Sequence, residues 1–268
     1  MGEVEARLAE LKAQGREVPG PEMIKNGEQI AGIRKACKLN STILDEVAKH
    51  IRVGMKTNEI DKIVYEYTVS HGGRPSDLGF MGYPKSCCTS VNDVICHGIP
   101  SDYVLKNGDI VNVDLTTELD GYFGDASRMF MMGRVSKEAK DLVNVTRECM
   151  RRGIRAAQAW NTVGDIGAAI APYARKHGYS VMLEYGGHGV GLASWEDPFI
   201  CHAGRRGEGM VLVPGMVITV EPMINMGTED YYESGFKNWE VHTADGSLSA
   251  QWENTILITE NGPEILSE

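Results

Sequence analysis

Apolar positions recur along this chain in two rhythms, and the switches between them mark its elements. From 26 to 51, Ile30, Ile33, Cys37, Ile43 and Val47 fall on one face of a helix. A second helix is predicted over Thr57–Ser70, with Thr57 as N-cap and Glu59 in its first turn, stopping at His71-Gly72-Gly73. Two more are predicted over 136–158 and Val163–Lys176, the last ending at His177-Gly178. Between them the period drops to two. Val111, Val113 and Leu115 alternate with Asn112, Asp114 and Thr116, and Asp120-Gly121 is a two-residue turn into a return strand over 122–129. Short strand or loop pieces at 86–91 and 94–97, and strands near Leu183 and over 216–222 and 239–243, follow the same logic. Asp245-Gly246 is expected to close a second hairpin with 248–259, and Glu260-Asn261-Gly262 to turn the chain once more. Ahead of these, Val4, Leu8 and Leu11 stripe a short charged helix that Val18-Pro19-Gly20-Pro21 breaks. Residues 1–24 therefore read as an N-terminal arm that serves packing or solubility, and 25–268 as the main domain.

The first hairpin carries a charge problem. With 120 and 121 as its loop, Thr116 faces Asp125 across the ladder and Asp114 sits one diagonal step away on the same face. Two carboxylates so placed repel each other unless a proton, an arginine or a divalent metal lies between them. The order of elements then repeats. Residues 58–72 overlay 164–178, with Ile60 on Ile166, Tyr67 on Tyr173 and His-Gly closing both, and 108–114 overlay 215–221, which sets Asp114 on Glu221. Two half-domains of helices plus hairpin follow, related by pseudo-symmetry, with Asp114 and Glu221 opposite each other. Glu253 lies on the partner of the second hairpin as Asp125 does on the first. Flanked by Trp252 and Ile256, it needs a counter-charge. The glycines around His188 let the backbone approach closely and leave the imidazole free to reach inward. Four carboxylates and one imidazole form a ligand set for two divalent metals, and hard oxygens with one nitrogen suit Mn, Co, Fe or Zn better than Ca. Water held between such ions is acidic enough to attack at neutral pH.

Composition narrows the class. No apolar run reaches membrane length and the N-terminus has no hydrophobic leader, so neither a span nor a signal peptide is expected. The six cysteines show no C-x-x-C spacing, which reads as reduced thiols in a cytoplasm. A formal charge of −10 argues against a nucleic-acid surface.

Five motifs in order closely resemble the type I methionine aminopeptidases, over about residues 25–266. They are Cys96-His97-Gly98-Ile99-Pro100; Asn112-Val113-Asp114 with Gly124-Asp125 eleven residues on; Gly187-His188-Gly189-Val190-Gly191; Val220-Glu221-Pro222; and Leu248-Ser249-Ala250-Gln251-Trp252-Glu253. The resemblance implies an α+β fold of the pita-bread type, two pseudo-symmetric halves of helices packed on antiparallel sheet, with 25–268 as the catalytic domain. It implies hydrolysis of the N-terminal methionine of nascent polypeptides by a hydroxide bridging two metal ions. Carried over by position, Asp114, Asp125, His188, Glu221 and Glu253 would be the metal ligands, Asp125 and Glu253 bridging. Glu221 would also shuttle the proton, and His97 would touch the substrate near the scissile amide. The methionine pocket falls on Phe80, Tyr83, Cys88 and Trp239, aromatic faces and a thiol that suit a thioether. A monomer acting on Met-led polypeptide N-termini near the ribosome is the implied setting.

Two positions depart from the family pattern. Trp195 stands where a second catalytic histidine is usual, and indole offers one N–H donor but no acid. Asn254 follows Glu253 where histidine is usual. An intact metal site with weaker transition-state stabilisation is the expectation. Two other readings remain beside it: a related dipeptidase or proline peptidase, against which the short N-terminal region argues, and a non-enzymatic binding protein on the same scaffold, which Trp195 keeps open.

Overall fold

Asn26 starts the long helix by a reciprocal cap: its side chain accepts from Gln29 N–H (3.0 Å) while the Gln29 amide oxygen accepts from Asn26 N–H (2.9 Å). The computed structural model describes residues 2–268. Its helices are α1 (Glu3–Ala13), α2 (Gly27–His50), α3 (Thr57–Ser70), α4 (Lys137–Ala156) and α5 (Val163–Lys176). Lys56, and not the Thr57 expected from local sequence, is the N-cap of α3. Glu59 Oε2 accepts from Lys56 N–H (2.8 Å), whereas the Thr57 hydroxyl is taken by Ser101, whose N–H donates to it at 2.8 Å. A tertiary partner has claimed the side chain that local chemistry would have used as a cap.

The hairpin forms in the expected register. Asp120 and Gly121 both take positive φ (54° and 81°), as a turn matched to strand twist requires. Ile110–Leu119 then pairs with Tyr122–Met131, Asp114 opposite Ser127 and Thr116 opposite Asp125. This pair lies in one antiparallel sheet whose strands run Arg74–Pro75, Ile110–Leu119, Tyr122–Met131, Glu253–Thr259, Val217–Val220, Gly187–Gly189 and Glu196–Ile200. The two halves join where Glu253 and Asn254 pair with Ser127 and Ala126. Helices α2 and α3 cover the first half through Ile43, Leu44, Ile60 and Val64, and α4 and α5 cover the second through Leu142, Ile154, Ile166 and Ile170. The repeat shows in detail: Tyr67 and His71 stack at 4.0 Å at the end of α3, and Tyr173 and His177 meet at 4.7 Å at the end of α5.

The second half departs from the expected strands. The run 216–222 breaks at its carboxylate: Val217–Val220 stays in the large sheet, while Met223–Asn225, after Pro222, pairs with Ser249–Gln251 and Ser180–Val181. Leu183 lies beyond that last strand. Asp245-Gly246 does not close a hairpin with 248–259. Glu240–Thr243 pairs instead with Tyr231–Ser234 and Val94–Cys96, and the turn, held by Ser247 N–H on Asp245 Oδ1 (2.9 Å), hands the chain from one small sheet to another. In the arm, Leu8 and Leu11 pack on the second-half core and the Arg7 guanidinium sits 4.0 Å from the Trp160 ring.

Helix α2 rides so closely on the hairpin that Gly124, beside Asp125, has no room for a side chain: an added Cβ would lie 2.4 Å from Cys37 N. Gly124→Ala should therefore lower stability by about 1–3 kcal/mol in a urea titration. Gly27→Ala, with nothing within 4 Å, should leave stability unchanged or slightly raised.

Candidate metal centre

The join between the halves sets the acids face to face. Thr219 pairs with Thr255 and Val220 with Asn254, so the same register brings Glu221 level with Glu253. Asp125, His188 and Glu253 each place one potential ligand atom within 4.8 Å of the others. His188 Nε2 lies 3.6 Å from Glu221 Oε1 and 3.7 Å from Asp125 Oδ2. Asp114 is tied in through Gln251, whose Nε2 donates to Asp114 Oδ2 (3.3 Å) and Glu221 Oε2 (3.2 Å). All five acid and histidine positions singled out in the sequence thus converge on one cavity of about 400 Å³.

Local chemistry aims the imidazole. His188 Nδ1 is 2.8 Å from the Gly189 carbonyl, which only accepts, so Nδ1 carries the proton and the Nε2 lone pair faces the acids. Glycine is required on both sides, since a Cβ at 187 would meet Thr219 O at 2.4 Å and one at 189 would meet Asp197 O at 2.2 Å. The Thr219 hydroxyl accepts from His188 N–H (3.0 Å) and donates to Glu221 Oε1 (2.7 Å), linking imidazole and carboxylate.

The electrostatics are those of a site that positive charge would stabilise. Burial pushes Asp114 up to about 7, and burial together with neighbouring carboxylates raises Asp125, Glu221 and Glu253 well above the usual range. Burial lowers His188. Glu253 Oε2 is buried without a hydrogen-bond partner, and neither Lys nor Arg is among the residues lining the cavity. Hard oxygens, one neutral imidazole and an orphaned carboxylate oxygen fit divalent cations, and of the three counter-charges open at the hairpin, arginine is excluded by the lining.

The remaining named residues line the same cavity. His97, at φ 58°, packs edge-on against Trp239 (5.5 Å) and Tyr185 (5.6 Å), and burial, then His188, push it down to about 4, so it is neutral. Tyr83 meets Trp239 edge-on at 5.1 Å, and burial holds the Cys88 thiol protonated. Phe80 is exposed at the mouth. Trp195 is there too, 51% exposed, its ring 6.4 Å from that of His188. Sequence reasoning missed Gln251, Thr219 and Asp77 and gave His202 no role. Gln251 and Thr219 orient the acids. His202 accepts Glu221 N–H at Nε2 (3.1 Å), and Asp77 lines the cavity with its Oδ2 on Thr116 N–H (3.0 Å). Gln251 stands inside the Leu248–Glu253 motif and Thr219 two places before Glu221; Asp77, in a loop, gives no signal.

Residues 31–260 match the model of metallopeptidase family M24. The chain is 46% identical over 235 residues to the methionine aminopeptidase of Rickettsia prowazekii, covering 88% of this chain and 91% of that protein. The crystal structure of methionine aminopeptidase from Rickettsia prowazekii superposes with a TM-score of 0.90 at 44% identity, over 91% of this chain and 99% of that one. For the Thermotoga maritima methionine aminopeptidase the TM-score is 0.89 at 36% identity, over 91% and 98%. A helix-backed, curled antiparallel sheet of two halves around a buried acid cluster is the pita-bread architecture of a metallopeptidase. The chain belongs to metallopeptidase family M24 and, within it, to the methionine aminopeptidases.

Proposed function

We propose that this hydrolase removes the N-terminal methionine from nascent polypeptides, using two divalent ions held by Asp114, Asp125, His188, Glu221 and Glu253. Asp125 and Glu253, on neighbouring strands at the join of the halves, would be among the residues that hold the ions. The buried acid cluster with no protein cation among its lining residues carries this reading. Ions of the Mn, Co, Fe or Zn class would supply Lewis-acid polarisation of the scissile carbonyl and a water acidic enough to attack near neutral pH. Glu221, braced by Thr219 and Gln251, takes the proton of the attacking water and passes it to the leaving amine. Neutral His97 offers an N–H toward the substrate near the scissile amide. Phe80, Tyr83, Cys88 and Trp239 hold the thioether side chain, and the small cavity demands a small second residue in the substrate. The six unpaired cysteines support a cytoplasmic setting, and no helix among the described residues is long and apolar enough to cross a membrane. A monomer working close to the ribosome completes the proposal.

The protein loaded with Mn or Co is expected to release methionine from a Met-Ala-led peptide and leave a Leu-led one largely intact. Release from neither at full metal occupancy would favour a binding role. Trp195→His should raise turnover, because a missing transition-state donor costs about 10²–10³-fold elsewhere; an unchanged rate would show that the cavity compensates without it.

A further inference from the structure

Lys25 is a nearly fully buried lysine that the chemistry above does not use. It is 4% exposed, and its ammonium forms an ion pair with Glu196 and also donates to Glu22 O (3.2 Å). Its backbone is pinned as well, with Lys25 N–H on Gly215 O at 2.9 Å, so the side chain projects from a fixed point at the root of the N-terminal arm. Glu196 in turn organises the cavity mouth. Its Oε1 accepts from Leu192 N–H (2.6 Å) and Ala193 N–H (3.0 Å), while Oε2 faces Lys25. That carboxylate closes the short loop carrying Ser194 and Trp195, both of which line the cavity. The loop is otherwise lightly held: Leu192 and Trp195 are exposed, and its described main-chain bond is Gly191 N–H to Ala193 O (3.1 Å).

We propose that Lys25 and Glu196 form a strut that positions the 192–195 loop, and with it the Trp195 indole, against the substrate chain entering the cavity. Lys25 is thus a positioning residue for substrate capture. An ammonium paired with Glu196 keeps both carboxylate oxygens acting as acceptors, one for the loop amides and one for the strut. Without it the carboxylate turns to solvent, and the loop loses its anchor. The substrate effect rests on the aminopeptidase reading; the loop effect does not.

The test compares the full-length chain with Lys25→Met, Glu196→Gln and Lys25→Arg, all loaded with Mn. Hydrogen exchange of the 192–195 amides should speed up by at least tenfold in Lys25→Met and Glu196→Gln while the other cavity strands stay protected, and return toward the parent rate in Lys25→Arg. With a Met-Ala-led peptide, KM should rise by about tenfold in the first two variants with kcat changed less than threefold. Unchanged loop exchange, or exchange that rises over the whole molecule with a lowered Tm, would overturn the strut. Faster loop exchange with unchanged KM would overturn its role in capture. If no variant or parent cleaves any Met-led peptide, the exchange measurement still decides the strut, and the failure belongs to the proposed activity.

Discussion

Replacing Glu221 with Gln is expected to lower turnover of a Met-Ala-led peptide by about 10²–10⁴-fold at saturating metal, the range for losing a positioned proton carrier. The amide is isosteric, so the surroundings decide what else changes. Thr219 Oγ1 donates to Glu221 Oε1 and Gln251 Nε2 to Oε2. A hydroxyl reverses its role freely, so the Gln amide nitrogen will face Thr219 and its oxygen Gln251. Fold and substrate binding should survive, with KM within a few-fold of the parent and the loss in kcat. The variant also removes one ligand oxygen, so metal content must be counted on the same sample. Full occupancy with unimpaired kcat would mean that another group moves the proton.

The second large effect concerns metal removal. In the metal-free protein, Asp114 is raised to about 7, and Asp125, Glu221 and Glu253 well above their ordinary range, by burial and mutual repulsion. A carboxyl whose folded pKa exceeds its unfolded value of about 4 stabilises the fold only while it holds its proton. That contribution is complete below about pH 4 and is lost as pH rises through the folded value. Tm of the metal-free protein should therefore fall from pH 5.5 to 8, and by several degrees, since 1 kcal/mol moves Tm by about 2–4 °C in a chain of this size. Bound cations replace the protons and reverse the sign, so the gap in Tm between loaded and metal-free protein should widen over the same interval. A gap that narrows as pH rises would mean the cluster does not carry protons in the metal-free state.

Sequence reading reached furthest where function rests on local periodicity. Alternation around Asp114 and the Asp120-Gly121 turn specify the hairpin register, and the offset between 108–114 and 215–221 matches Asp114 to Glu221. It stopped where distant partners decide. Thr57 looked like a cap because its competitor, Ser101, is 44 residues away. Asp245-Gly246 looked like a hairpin turn because nothing local shows that Val94–Cys96 claims one neighbouring strand and Met223–Asn225 the other. The Lys25–Glu196 pair spans 171 residues and belongs to no motif. Ligand types were legible, since acids and histidine at those spacings have few other uses; the groups that orient them were not, because threonine, glutamine and a loop aspartate are ordinary anywhere.

Calorimetric titration of the metal-free protein with Mn at pH 7, repeated in buffers of different ionisation enthalpy, tests most directly whether the acid cluster exists to hold cations. Asp125, Glu221 and Glu253 should give up protons as metal enters, so the account predicts two equivalents bound per chain, with release of at least one proton that Glu253→Gln diminishes. Tight binding of two ions with no proton release, or no binding at all, would contradict it.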